Sequence, residues 1–139
     1  MGNGENDRGT PPELFAKLHA ICDFTLDAAA SKENALLPRF YTIEDSALEH
    51  SWAGERVFMN PPYGRGVLEP FVKKACEEVN IGDCELVVAL LPVRTEQPWF
   101  HKYVWRVAGA DIVFLKGRLR YDGLKTAAPF PSMIVMWRG

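Results

Sequence analysis

"CELVVALLPV", residues 84–93, is apolar without a break from Leu86 to Val93. Such a run is the pattern of a strand buried on both faces, and strands of that kind belong to sheets covered by helices. The flanks supply the helices. In "VLEPFVKKACEEVN" (67–80), Leu68, Phe71, Val72, Ala75, Cys76 and Val79 recur at i, i+3, i+4, i+7, i+8 and i+11, one face of a helix. Pro70 falls in its first turn, where proline is tolerated, and Gly82 is expected to supply a left-handed stop. Downstream, "QPWFHKYVWRVAG" (97–109) reads as a helix burying Trp99 or Phe100, Tyr103, Val104 and Val107, and ending at Gly109.

The same alternation extends both ways. In "TPPELFAKLHAICDF" (10–24), Thr10 can cap a helix, Pro11 or Pro12 suits its first turn, and Glu13 sits near the positive end of its dipole. Leu14, Leu18 and Ile21 mark its expected apolar face. "FTLDAAAS" (24–31) reads as a buried strand opening into a tight loop, and "RVFMN" (56–60) as a strand running into Pro61. Between them, Pro38 interrupts "KENALLPRFYTI" (32–43), and "EDSALEHSWAGE" (44–55) suggests a loop or a short helical turn. "ADIVFLKGRLRY" (110–121) and "SMIVMW" (132–137) are two further strands joined by a link containing "AAPFPS". The expectation is an α/β fold with a mainly parallel sheet and an antiparallel C-terminal hairpin at one edge.

The totals narrow the class. With 139 residues the chain fits one domain, and 47% hydrophobic with 24% charged residues argues against disorder. Residues 1–9 are expected to be a flexible tail and 10–139 a single catalytic domain. No apolar run approaches the roughly 18 residues of a membrane span. "MGNGENDRGTPP" lacks a signal-peptide core, and Asn6 stands where myristoylation of Gly2 would want Ser or Thr. A cytoplasmic protein is expected. Cys22, Cys76 and Cys84 form no C-x-x-C pair, and His19, His50 and His101 are scattered, so neither a disulfide framework nor a metal site is indicated. Each histidine is expected as a surface or helix residue. Net charge is −2, so any nucleic-acid surface must be local. The one basic run is "LKGRLRYDGLK", with Lys116, Arg118, Arg120 and Lys125, and taken alone it reads as a solvated hairpin.

In open α/β sheets, ligands bind at the carboxyl ends of the strands. Three unusual segments fall there: "DAAAS" (27–31), "NPPYG" (60–64) and "PVRT" (92–95). Asn60-Pro61-Pro62-Tyr63 is either a stiff turn with a tyrosine packed under it or a grip for something flat and polar. The Asn60 side chain offers one carbonyl and the Pro61 backbone another, held at a fixed angle by proline stiffness. Two such acceptors suit a planar amino group, and Tyr63 offers a stacking face worth about 1–3 kcal/mol for a base. A nucleobase amine fits both features. Hydrogen bonds to both of its protons would pull electron density onto nitrogen and favour attack on an electrophilic methyl.

"MNPPYG" resembles motif IV of amino-group methyltransferases that use S-adenosylmethionine. With "TPPELF", "FTLDAAASKENA", "YTIEDSALEHSW", "FVKKACEE", "LLPVRTEQPWFHKYV", "IVFLKGRLRY" and "APFPSMIVMW" in order, the chain from Gly9 onward resembles the phage- and prophage-encoded DNA adenine-N6 methyltransferase family. The resemblance implies a compressed Rossmann-like methyltransferase fold, S-adenosylmethionine as cofactor, double-stranded DNA as partner, and action inside the host cell. It implies that Asn60, Pro61 and Tyr63 hold a flipped adenine and that Pro62 shapes the loop. Asp27 with Ala28, Ala29 and Ala30 would form the cofactor's first motif, and Thr10 and Pro11 would seat its methionine end. Asp45 would contact the adenosyl part, with Glu44 as the competing assignment. Arg94 and Thr95 would touch phosphate or line the base pocket, unless Thr95 simply caps the next helix. Arg118 and Arg120 would contact phosphates, and Tyr121 would either wall the base pocket or pack in the core.

Two departures from the wider methyltransferase pattern stand out. "DAAAS" has no glycine, so the loop must turn differently from a G-x-G loop. About 30 residues separate Asp27 from Asn60, so at least one strand–helix unit must be missing or shrunken there. No separate target-recognition domain is expected in the chain, and covering DNA would then call for a partner or a homodimer. Two rival expectations stand: a methyltransferase acting on a protein glutamine or an RNA base amine, and a catalytically silent DNA-binding subunit.

Overall fold

The computed structural model describes residues 9–122 and 126–139. The first eight positions of the expected tail, and Lys125 of the basic run, lie outside the described residues. The ninth, Gly9, is built into the fold: its N–H donates to the Asp122 carbonyl at 3.2 Å, and Asp122 N–H returns to the Gly9 carbonyl at 2.9 Å.

Five strands form one sheet: β1 (Leu26–Asp27), β2 (Arg56–Met59), β3 (Leu86–Pro92), β4 (Ala110–Phe114) and β5 (Ser132–Arg138). Their spatial order is β1-β2-β3-β5-β4. β1, β2 and β3 run parallel, whereas β5 pairs antiparallel with both β3 and β4. The expected α/β architecture, with its antiparallel hairpin at one edge, is therefore present. Every residue of β3 is buried, as its unbroken apolar run requires. Val113 and Phe114 of the edge strand β4 stay more than half exposed.

Helices α1 (Pro12–Cys22), α2 (Leu68–Ile81) and α3 (Pro98–Tyr103) accompany the sheet. The six apolar positions read for α2 are its six buried residues. The other helix readings need correction. Thr10 does not cap α1: Pro11 takes the N-cap position with no side-chain bond, because the Thr10 hydroxyl is engaged elsewhere. The inward face of α1 is Leu14, Phe15, Leu18 and Cys22, so the expected face holds at Leu14 and Leu18 but not at Ile21, which is 79% exposed. Phe15 sets this rotation by packing edge-on against Phe58 of β2, with ring centroids 5.1 Å apart. Gly82 does not supply the left-handed residue after α2; Asp83 does, with φ 63°. Gly82 is needed for space, since a Cβ there would sit 2.9 Å from Glu78 Cα. α3 ends at Tyr103, short of Gly109, because the Trp137 indole N–H takes the Tyr103 carbonyl at 2.7 Å. Gly109 keeps a positive φ of 82°, where a Cβ would meet the Arg138 carbonyl at 2.5 Å.

Between β1 and β2 the described chain has one isolated bridge, Asp27 with Phe40, and one 3-10 turn, Ala47–Glu49. The strand–helix unit expected to be missing is absent there. All three cysteine side chains are buried and unpaired, and burial pushes the Cys84 thiol up to about 11. None is poised as a thiolate nucleophile. Among the described residues, no helix is long and apolar enough to cross a membrane.

Candidate active site

The three segments singled out in the sequence converge at the carboxyl ends of β1, β2 and β3. Asn60 follows the last residue of β2, where the chain turns into two prolines. Its Nδ2 donates to Thr10 Oγ1 at 3.1 Å, across 50 positions of sequence. That bond fixes which way the amide faces. Thr10 is brought there by the Gly9–Asp122 bridge, which carries the N-terminal segment across to the β4–β5 connection. A residue read as a helix cap is thus the neighbour of the key amide. Its partner was invisible because nothing local in either stretch encodes it.

Pro61 is buried and Pro62 partly so. Tyr63 corrects an expectation. Its ring was to offer an open face, yet the residue is only 1% exposed. The hydroxyl donates to the Leu90 carbonyl at 2.7 Å and lies 3.2 Å from Tyr121 Oη. Tyr121 Oη lies in turn 2.8 Å from Ser132 Oγ. The rings of Tyr121 and Phe130 pack edge-on against Tyr63. The physical cause is the register: β2 ends opposite Ala89, and the phenol reaches the Leu90 carbonyl just beyond that pair. Tyr121 accordingly takes the second of its two readings, as a buried packing residue.

Arg94, directly beyond β3, was expected at phosphate or base. Its Nη1 donates instead to the Tyr63 backbone carbonyl at 2.9 Å. Thr95 caps nothing; Gln97 holds the N-cap position of α3, and the Thr95 carbonyl lies 2.7 Å from His101 Nε2. Beside Arg94 opens a cleft of about 520 Å³, walled by Tyr63, Arg65, Glu69, Arg94, Glu96 and Trp99 among others. Arg118 and Arg120 are exposed on the connection between β4 and β5.

At the end of β1, Asp27 also departs from expectation. It is 2% exposed, and its carboxylate turns inward to accept from Leu36 N–H at 3.1 Å and Ala29 N–H at 3.4 Å. Ala28 N–H donates to the Phe58 carbonyl, and Ala30 N–H to that of Tyr41. A loop without glycine therefore closes through its own backbone and one buried carboxylate, which shapes the loop from below. Burial pushes the Asp27 carboxyl above its ordinary value, and the Leu36 and Ala29 donors oppose that only in part. The sign follows. A carboxyl whose folded pKa is raised contributes stability in full below its unfolded value and loses it as pH rises through the folded value. The melting temperature of the wild type relative to Asp27→Asn should therefore fall as pH rises above the ordinary Asp value of about 3.9. A difference that stays flat with pH would contradict this.

The next segment places Asp45 on the surface, its Oδ1 2.6 Å from His50 Nε2, and the His50 ring lies flat on Tyr41 at 4.5 Å and 3°. Glu44 beside it is exposed. His50 was read as an unremarkable surface histidine; its role as a partner of Asp45 needed the fold of the 41–50 turn. Pro11 is partly buried at the start of α1, next to Thr10.

Residues 4–139 match the family described as DNA N-6-adenine-methyltransferase (Dam). The DNA N-6-adenine-methyltransferase of Escherichia phage T1 is 35% identical over 115 residues, covering 81% of this chain and 46% of that protein. The chain thus spans about half the length of the curated relative it matches. A solved structure from Pyrococcus horikoshii, described as a candidate RNA methyltransferase, aligns with TM-score 0.62 over 99% of this chain and 89% of that one. At 16% identity it bears on the fold alone, a Rossmann-like methyltransferase fold. With Asn60-Pro61-Pro62-Tyr63 at the end of β2 and the family pattern running from residue 4 to 139, the chain belongs to the Dam DNA N-6-adenine-methyltransferase family.

Proposed function

We propose that this chain methylates the N6 amino group of an adenine flipped out of double-stranded DNA, using S-adenosylmethionine. The observation that carries the reading is Asn60 and Pro61 at the carboxyl end of β2, beside the small-residue loop that follows β1. The donor set there suits the cofactor. Ala29 and Ala30 leave room for a close approach, Asp45 is an exposed acceptor for ribose or adenine, and the stacked Tyr41–His50 pair is a flat aromatic surface. When bound, the cofactor supplies an electrophilic methyl group. Thr10 and Pro11 border the place where its methionine end would lie, and Ala28 with Asp27 shapes the loop beneath.

The chain's own residues do the rest. Thr10 orients the Asn60 amide, so that its Oδ1 and the Pro61 carbonyl accept from the two amino protons of adenine. Those bonds raise electron density on N6 and aim its lone pair, so catalysis rests on positioning and exclusion of water. Stacking on Tyr63 requires its ring to leave the bonds to Leu90 and Tyr121. Pro62 stiffens the turn about which it would move. Arg118 and Arg120, exposed beyond β4, are placed to meet phosphates. Residues 10–139 would act as one catalytic unit in the cytoplasm of the cell whose DNA is modified, with a homodimer as one way to cover the duplex.

The test is mapping of methylated bases in DNA from cells expressing the chain, beside the same cells expressing Asn60→Ala. N6-methyladenine at a recurrent site in the first and not the second is expected. Methyl transfer to RNA or protein with none to DNA would overturn the reading.

A further inference from the structure

We propose that Arg94 is a positioning residue, which sets the geometry of the amine-gripping loop by holding its far end. The inference rests on the reading of Asn60–Tyr63 given above. That loop is short of donors of its own, since Pro61 and Pro62 carry no N–H. Two successive residues therefore cannot be tethered through their own backbone donors. At the near end the parallel ladder fixes the chain, with Met59 opposite Ala89. At the far end Arg94 Nη1 donates to the Tyr63 backbone carbonyl at 2.9 Å, a bond that does not depend on where the Tyr63 ring lies.

Ala89 belongs to β3, and Arg94 follows two residues after its last residue, Pro92. One strand and its continuation thus gauge both ends of the loop. Proline locks φ at positions 61 and 62, and the peptide units are planar. With both ends held, few torsions remain to vary the direction of the Asn60 amide or the Pro61 carbonyl. Releasing the far end would let both acceptors drift, and a misplacement of about 1 Å can cost on the order of 100-fold in rate.

The surroundings favour this role over a phosphate contact. Glu69 and Glu96 line the same cleft as Arg65 and Arg94, so its walls carry both signs of charge. A DNA phosphate would meet those carboxylates as well as the guanidinium. Arg94 is moreover only partly exposed, with one N–H of its guanidinium already given to a backbone carbonyl.

Arg94→Lys and Arg94→Ala separate the two roles, because lysine keeps the charge and loses the planar fork. The substrate is duplex DNA carrying the site found by methylated-base mapping. Both variants are expected to lose about 100-fold in kcat while the KM for DNA and its salt dependence stay close to wild type. Hydrogen exchange at the amides of residues 64–68 should quicken in both, with β3 still protected. A contact to phosphate would leave Arg94→Lys near wild-type rate, and Arg94→Ala would raise KM and lower the salt slope by about one. That pattern overturns the proposal, as does a rate loss that merely tracks the unfolded fraction at the assay temperature. If the wild type transfers no methyl to DNA, the functional reading fails instead. The exchange measurement then decides the clamp alone, and unchanged exchange in Arg94→Lys overturns it.

Discussion

Asn60→Ala should lower kcat by at least about 1,000-fold and change affinity for S-adenosylmethionine by no more than a few-fold. The substitution removes one of the two acceptors that aim the adenine amine, and with it the bond to Thr10 Oγ1 at 3.1 Å. The second loss is separable. Thr10→Val leaves the amide in place but frees its orientation, so its cost in kcat should be intermediate, about 10- to 100-fold. The cofactor contacts proposed for Asp45, Thr10 and the loop after β1 do not involve the Asn60 side chain, which is why binding should survive its loss; Thr10→Val is compared at saturating cofactor. Single-turnover transfer and cofactor titration on the same preparations measure both quantities. A variant retaining wild-type transfer would remove the mechanism, since no other side chain at the end of β2 offers that acceptor.

Trp52→Ala is expected to cost about 3–5 kcal/mol of folding stability, a large share of the roughly 5–15 kcal/mol available to a domain. Trp52 is fully buried. Its indole N–H donates to the Ala47 carbonyl at 3.1 Å, and its backbone N–H donates to Glu78 Oε1 on α2. Lys74 Nζ, paired with Glu78 at 3.3 Å, lies 5.7 Å from the ring centroid. The stretch from Asp27 to Asn60 has no helix to fasten it, so this one ring joins the 3-10 turn to α2. Trp52→Phe keeps most of the apolar area and removes only the indole bond to the Ala47 carbonyl, which still accepts from His50 N–H, for a cost of about 0.5–1.5 kcal/mol. Urea unfolding of the three proteins gives the numbers. A Trp52→Ala loss below about 1 kcal/mol would show that the compressed segment is held some other way. Asp45 and His50 stand just before Trp52, so cofactor affinity should fall with it even where the variant remains mostly folded.

The reading of β3 held because burial on both faces leaves a direct trace in sequence, and the six apolar positions of α2 held for the same reason. The α1 face held at Leu14 and Leu18 but failed at Ile21, with Phe15 and Cys22 facing inward instead. Two apolar stripes overlap in "ELFAKLHAIC", and packing of Phe15 against Phe58 chose between them. The helix ends departed for two reasons: at Gly82 close approach to Glu78 of the same helix demands a missing Cβ rather than a left-handed turn, and at Tyr103 the Trp137 indole takes a carbonyl from outside the helix.

The site divides along the same line. The sequence by itself determined that Asn60, Pro61, Pro62 and Tyr63 end a buried strand, that a small-residue loop follows another, and that Arg94 leaves a third. Residue type and periodicity carry that information, because each strand reports its own burial and its own end. Only the tertiary structure decided what each polar group faces. It joined Asn60 to Thr10, turned Asp27 inward to Leu36 and Ala29, buried Tyr63 against Leu90 and Tyr121, and gave Arg94 the Tyr63 carbonyl. Such partners are set by which strand ends stand side by side. That order, β1-β2-β3-β5-β4, is fixed by packing across the whole sheet and leaves no local mark on any one segment.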